Sequence, residues 1–139
     1  MKGDLVSNWM TKDPITVSGS VTMPDAYWIM VNNHIKRLLV VENGALIGIV
    51  TIDDLQQKIP WTAFSINAMH ANEMLSKYPV RMIMTTNVVT TSPDTPLYEA
   101  AKLMIEKEIS TLPVLDENKV VGIITESDIF KAFVELSSE

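Results

Sequence analysis

The chain contains no cysteine, so disulfides, thiolate nucleophiles and zinc–thiolate sites are all excluded. It has only five glycines, and none falls in a phosphate-cradling loop or a dinucleotide fingerprint. The two histidines, His34 and His70, have no second ligand at metal spacing, so no metal site is expected. The pair Asp53-Asp54 alone is thin support for magnesium. No Ser/His/Asp grouping marks a nucleophile, and no catalytic residue is assigned. Basic residues are few and scattered: 11 Lys+Arg stand against 17 Asp+Glu, for a net charge of −6. Phosphate neutralisation supplies most nucleic-acid affinity, so nucleic-acid binding is disfavoured. The longest apolar run, Ala45-Leu46-Ile47-Gly48-Ile49-Val50, is far short of the ~20 residues that cross a bilayer. Met1-Lys2-Gly3-Asp4-Leu5 lacks a signal-peptide pattern. These absences lead us to expect a cytoplasmic protein that binds neither membrane nor nucleic acid and is not an enzyme.

What the chain does have is a copy of itself. At a constant offset of 74, Met10-Thr11 recurs as Met84-Thr85, and Gly48-Ile49-Val50-Thr51 meets Gly122-Ile123-Ile124-Thr125. Residues 10–57 and 84–131 share 13 identities in 48 ungapped pairs. Chance would give about 3, so the repeat is a duplication. The divisions expected are 1–58 for the first repeat, 59–78 for a helical connector and 79–139 for the second repeat. Hydrophobic residues make up 47% of the chain, enough for one compact core.

Each copy has the pattern β-α-β-β-α. A short β run (Ile15 to Val17; Val88 to Thr91) precedes a helix. The second-copy helix is expected to start with Thr95 as N-cap and Pro96 at the first position. Its apolar stripe, Leu97, Ala100, Ala101, Met104 and Ile105, repeats at Met23, Ala26, Tyr27, Met30 and Val31. Two strands follow, joined by Glu42-Asn43-Gly44 in one copy and Asp116 to Lys119 in the other; Asn-Gly is a strong hairpin signal. A second helix begins near Ile52 and near Glu126. Strands this short bury one sheet face per repeat, so the copies must pack together to close a core. In the connector, Trp61, Phe64, Ala68, Met69 and Met74 form an apolar stripe that reads as core or subunit contact, and a homodimer is expected.

Each copy ends in Gly-h-h-Thr-x-x-Asp, where h is apolar: Gly48 to Asp54 and Gly122 to Asp128. Each opens with Val-x-x-x-Met-Thr, at Val6 to Thr11 and Val80 to Thr85. Together with Leu112-Pro113-Val114-Leu115-Asp116, these motifs resemble the CBS-domain family, and the run Thr125 to Phe130 resembles its stand-alone acetoin-utilisation members. The resemblance implies an α+β fold in which tandem CBS repeats, each with a small mixed sheet, are related by a pseudo-twofold axis. It also implies two clefts that in many members hold AMP, ATP, S-adenosylmethionine or NAD.

Thr-x-x-Asp has a local explanation that needs no ligand. The threonine caps a helix and the aspartate three residues on completes a capping box. The same geometry allows a second use, because a helix start attracts anions and a carboxylate there can accept bonds from a ribose diol. By resemblance, Asp54 and Asp128 are ribose contacts, with Thr51 and Thr125 beside them. One cleft would combine Asp128, Thr125, Ser127 and Lys131 with Thr11, Ile15 and Thr16. The other would combine Asp54, Asp53 and Thr51 with Thr85, Val89 and Thr90. Ser127 and Lys131 stand where the first copy has Asp53 and Gln57, so the Asp128 cleft is expected to be the better phosphate site. Lys36 and Arg37 either reach a phosphate or solvate an edge.

The expected function is a regulatory module. It would sense an adenosyl compound (AMP, ADP, ATP, S-adenosylmethionine or NAD), require no cofactor, and signal to a separate effector protein. The alternative is a ligand-free scaffold in which both motifs are caps only.

Overall fold

A computed structural model describes residues 4–58 and 77–138. The expected connector stripe, Trp61 to Met74, lies outside the described residues, as does His70. The elements in chain order are α1 (Val6–Trp9), β1 (Thr11–Lys12), β2 (Thr16–Val17), α2 (Met23–Asn32), β3 (Arg37–Glu42), β4 (Ala45–Thr51) and α3 (Ile52–Lys58). A 3-10 turn at Val80–Met82 follows, then α4 (Leu97–Lys107), β5 (Thr111–Asp116), β6 (Lys119–Thr125) and α5 (Glu126–Ser137).

The duplication extends to the backbone. Every described non-glycine residue with positive φ in the first copy has a left-handed partner 74 positions on: Asp13 and Asn87, His34 and Glu108, Asn43 and Glu117. Gly44 (φ 81) matches Asn118 (φ 67), so both hairpins turn through two left-handed residues. Both also carry a register shift at the same place, between Val40 and Val41 and between Val114 and Leu115.

The chain forms two compact units that do not follow the order of the repeats. One consists of Met1–Pro14 with Val88–Glu139; the other is Ile15–Asn87. Each unit therefore takes its opening Val-x-x-x-Met-Thr segment from the opposite repeat.

In the Ile15–Asn87 unit, β2 lies parallel to β3, and β3 is antiparallel to β4. Helix α2 starts at Thr22, whose hydroxyl accepts the Asp25 N–H, and Pro24 sits in the first turn where its missing N–H costs nothing. Met23, Ala26 and Met30 on its inner face pack with Val17, Leu38, Val40, Val50, Leu55 and Val80. The turn at Val80 is tied on by its N–H to the Val21 carbonyl, 2.7 Å. Thr85 and Ile49 exchange both backbone bonds, at 2.9 and 3.0 Å.

In the other unit, β6 is the central strand, flanked by β1 and β5, both antiparallel to it. The N-terminal segment is held by the Val6 N–H to Thr95 O (2.9 Å) and the Leu97 N–H to Asp4 O (2.8 Å). Val6, fully buried, joins Leu97, Ala100, Met104, Leu112, Val114, Ile124 and Ala132 in the core.

Three local expectations need correction. Thr95 does not cap α4. Its hydroxyl accepts the Ser92 N–H, Pro96 is the N-cap residue, and the Leu97 N–H is satisfied by Asp4 instead. The expected β run at Val88 to Thr91 shrinks to one parallel bridge, Thr91 to Val114. Thr91 bonds the Pro113 carbonyl and the Leu115 N–H, so the next parallel bond toward Val89 would need an N–H that Pro113 lacks. Leu39 occupies that position in the first copy, where β2 forms. Finally, Val31 and Ile105, the last members of each stripe, are exposed rather than buried.

Candidate site at the strand-to-helix junctions

Each second hairpin strand runs directly into a helix, and the signature threonine is its last residue. A capping box closes both helix starts. In the first copy, Asp54 Oδ2 accepts the Thr51 N–H at 2.9 Å and Thr51 Oγ1 accepts the Asp54 N–H at 3.0 Å. In the second, Asp128 Oδ2 accepts the Thr125 N–H at 2.9 Å and also the Thr125 hydroxyl at 3.2 Å. The local explanation of Thr-x-x-Asp is therefore realised in full.

The boxes leave specific groups over. Each carboxylate spends Oδ2, while Oδ1 of Asp54 and of Asp128 has no partner among the described residues. The first helical N–H groups are less available than a bare helix start would offer. The Ile52 N–H is bonded to Lys36 O (2.8 Å) and the Glu126 N–H to Ser110 O (2.9 Å). With the aspartate N–H inside the box, the first-turn donors left are those of Asp53 and Ser127. A half-buried carboxylate with one open oxygen suits a hydroxyl donor better than an anion.

Strand register sets what surrounds each junction. Thr11 pairs with Ile123, Ile123 with Pro113, and Thr125 with Thr111. Directly opposite residues, and residues two apart on one strand, share a sheet face. Thr11, Thr111 and Thr125 thus lie on one face, opposite the Leu112, Val114 and Ile124 face that meets the helical core. The equivalent row in the other unit is Thr85, Arg37 and Thr51, from the Ile49–Thr85 bridge and the Arg37–Thr51 pair.

Glycine in the signature has a steric cause. A Cβ on Gly122 would lie 2.5 Å from Met10 Sδ and 3.0 Å from the Thr11 carbonyl. A Cβ on Gly48 would meet Met84 Sδ at 2.5 Å and the Thr85 carbonyl at 3.0 Å. The methionine of each opening motif therefore lies over the glycine of the other repeat's signature.

Of the residues expected around Asp128, the structure places Thr11, Thr125, Ser127 and Lys131 in its unit, while Ile15 and Thr16 belong to the other. Around Asp54 it places Thr51, Asp53 and Thr85 in the same unit; Val89 and Thr90 belong to the other. Ser127, Lys131 and Asp53 are exposed. Thr90 lines a groove of about 470 Å³ with Tyr98, Lys102 and Glu106. An apolar groove of about 410 Å³, lined by Met104, Ile105, Ile129 and Phe130, lies between α4 and α5. Neither groove reaches Thr125 or Asp128. Sequence reasoning missed Thr111. Its only signal was the position it shares with Arg37 at offset 74, and that acquires meaning once register places it opposite Thr125.

Among the described residues no helix is long and apolar enough to cross a membrane. The family model for the CBS domain matches residues 4–60 and 80–135. Protein MJ1225 of Methanocaldococcus jannaschii is 33% identical over 95% of this chain, which spans 48% of that relative's length. A CBS-domain protein of Dictyostelium discoideum is 34% identical over 95% of this chain and 92% of its own. Among solved structures, the CBS domain pair of MJ0100 in complex with 5′-methylthioadenosine and S-adenosyl-L-methionine has a TM-score of 0.77 at 30% identity, covering 95% of this chain and 97% of that one. CBSX2 in complex with AMP has a TM-score of 0.77 at 27% identity, covering 97% and 99%. The acetoin utilization protein AcuB of Vibrio cholerae has a TM-score of 0.78 at 29% identity, covering 97% and 93%.

Proposed function

The chain belongs to the CBS-domain family, and from that premise we propose that it is a regulatory module binding an adenine nucleotide or adenosyl compound beside its two Thr-x-x-Asp junctions. The observation that carries this reading is the open Oδ1 of a half-buried, box-anchored aspartate, present twice at equivalent positions. A carboxylate held this way is pre-oriented to accept a ribose hydroxyl, as the acidic residue of dinucleotide folds does. The ligands held by the CBS pairs of MJ0100 and CBSX2 support the adenosyl class.

In this reading Thr51, Asp53, Asp54 and Thr85 serve one site, and Thr11, Thr125, Ser127, Asp128 and Lys131 the other. Ser127 and Lys131 lie four residues apart on one helix face and favour phosphate at the Asp128 site. The ligand shifts the module between arrangements by no more than its differential affinity for them, and an effector protein reads the change. The module acts as a homodimer. Support comes from α5, where Phe130, Phe133 and Val134 are exposed while Ile129, Ala132 and Leu136 pack with the core. A helix apolar beyond its core-facing stripe is normally covered there as well.

Calorimetry with AMP, ADP, ATP, S-adenosylmethionine and NAD tests the function. Binding to at least one, abolished in the Asp54→Ala/Asp128→Ala double variant, is the expected result. A scaffold that binds no ligand is the competing reading, favoured by the completeness of both capping boxes. No heat from any of the five compounds would establish it.

A further inference from the structure

Thr111 is the one buried polar side chain among the described residues, 8% exposed, and its hydroxyl has no hydrogen-bond partner. Burying a hydroxyl without a partner is unfavourable, and such groups are rare enough in folded proteins to call for a cause. Its location supplies one. Thr111 is the cross-strand partner of Thr125, so their side chains stand side by side on one sheet face at the start of α5. Thr125 has already committed its hydroxyl to Asp128 Oδ2. The junction thus presents two uncommitted polar atoms, Asp128 Oδ1, which accepts, and Thr111 Oγ1, which accepts or donates.

We propose that Thr111 is a specificity-determining residue of the Asp128 site, completing its hydrogen bonding with a hydroxyl of the bound sugar. This rests on the ligand-binding reading above and adds to it the partner of the second hydroxyl. A vicinal diol matches the pair: one hydroxyl donates to the carboxylate and its neighbour bonds to the threonine. The first repeat has Arg37, a donor only, at the corresponding place opposite Thr51. The neutral hydroxyl partner that Thr111 offers therefore belongs to the Asp128 site. The deoxy analogue, which leaves Thr111 unpartnered, binds there less well.

The test uses the full chain carrying Asp54→Asn, so that heat reports the Asp128 site, with and without Thr111→Val. Valine keeps the shape and removes the hydroxyl. Because that hydroxyl has no partner in the free protein, the variant melts no lower than its parent. Its affinity for adenosine falls about three- to tenfold, the range of one neutral hydrogen bond. Either 2′-deoxyadenosine or 3′-deoxyadenosine binds the parent weaker by a similar factor and loses nothing further on Thr111→Val. Thr111→Ser, which restores a hydroxyl, keeps the parent affinity. Equal adenosine affinity in parent and Thr111→Val overturns the proposal alone, as does a melting point several degrees lower for the valine variant. A parent that binds neither adenosine nor AMP overturns the underlying reading and this proposal with it.

Discussion

Gly122→Ala places a methyl group where Met10 now lies. The new carbon would sit 2.5 Å from Met10 Sδ, 3.0 Å from Met10 Cγ and 3.0 Å from the Thr11 carbonyl oxygen. The sulfur is the far part of a flexible, half-buried side chain and can swing away. The carbonyl cannot, because β1 is held to β6 by the Thr11–Ile123 and Lys12–Gly122 pairs. Overpacking of this kind costs about 1–3 kcal/mol, and replacing glycine in a strand returns about 0.5–1 kcal/mol of backbone entropy. At the middle of both ranges the net loss is about 1 kcal/mol, a few degrees in melting temperature at about 2–4 °C per kcal/mol. The damage should be local first. Hydrogen exchange at the Asp13 amide, bonded to Val121 O at 3.2 Å, should quicken before exchange in the β5–β6 hairpin does. Met10→Ala alone removes packing, but in the double variant part of the Gly122→Ala penalty disappears, giving a favourable coupling of about 0.5–1 kcal/mol. Identical melting of Gly122→Ala and parent, with unchanged exchange at Asp13, would refute the argument that signature glycine exists to admit the opposite repeat's methionine.

Val6→Ala, at a fully buried position, should cost about 2 kcal/mol, and exchange mapping should locate the loss in the second repeat's helices rather than in the first. Thr51→Val removes the acceptor of the Asp54 N–H and should cost about 1 kcal/mol in a denaturant melt. Under the proposed homodimer, Phe133→Glu, which charges an exposed apolar position of α5, should sediment as a monomer where the parent sediments as a dimer, with the melting temperature of the folded units within a degree or two; equal sedimentation of variant and parent would count against this face as the interface. A bound nucleotide at ~100 times its Kd should raise stability by about 2.7 kcal/mol, and Asp128→Ala should reduce that shift in a thermal melt.

Features governed by neighbouring residues could be read from the chain. The hairpin at Asn43-Gly44, the proline in the first turn of α2 and both Thr-x-x-Asp helix starts depend on interactions a few residues long. Where sequence reasoning failed, a distant residue had intervened. Thr95 lost its capping role because Asp4, about two thirds of the chain away in sequence, satisfies the Leu97 N–H. The strand before α4 failed to extend because its neighbour in the ladder is Pro113. Helix periodicity drew Ile105 and Val31 into the core stripe, but a stripe has two edges, and packing decided that these edges stay exposed.

The residues alone determined the duplication, the β-α-β-β-α plan and the helix-capping chemistry of the candidate sites, because each is set by periodicity or by contacts within a turn. They could not determine which strand edge each opening segment joins. Gly48 to Thr51 and Gly122 to Thr125 offer Met10 and Thr11 nearly the same edge, so the choice of β6 over β4 depends on where the folded chain can reach. Nor could they single out Thr111, an ordinary threonine until strand register buries it opposite Thr125. Local chemistry repeats with the sequence, and so does strand register; what register adds is to set residues that differ between the copies, Thr111 and Arg37, opposite equivalent threonines, so that the two candidate sites differ.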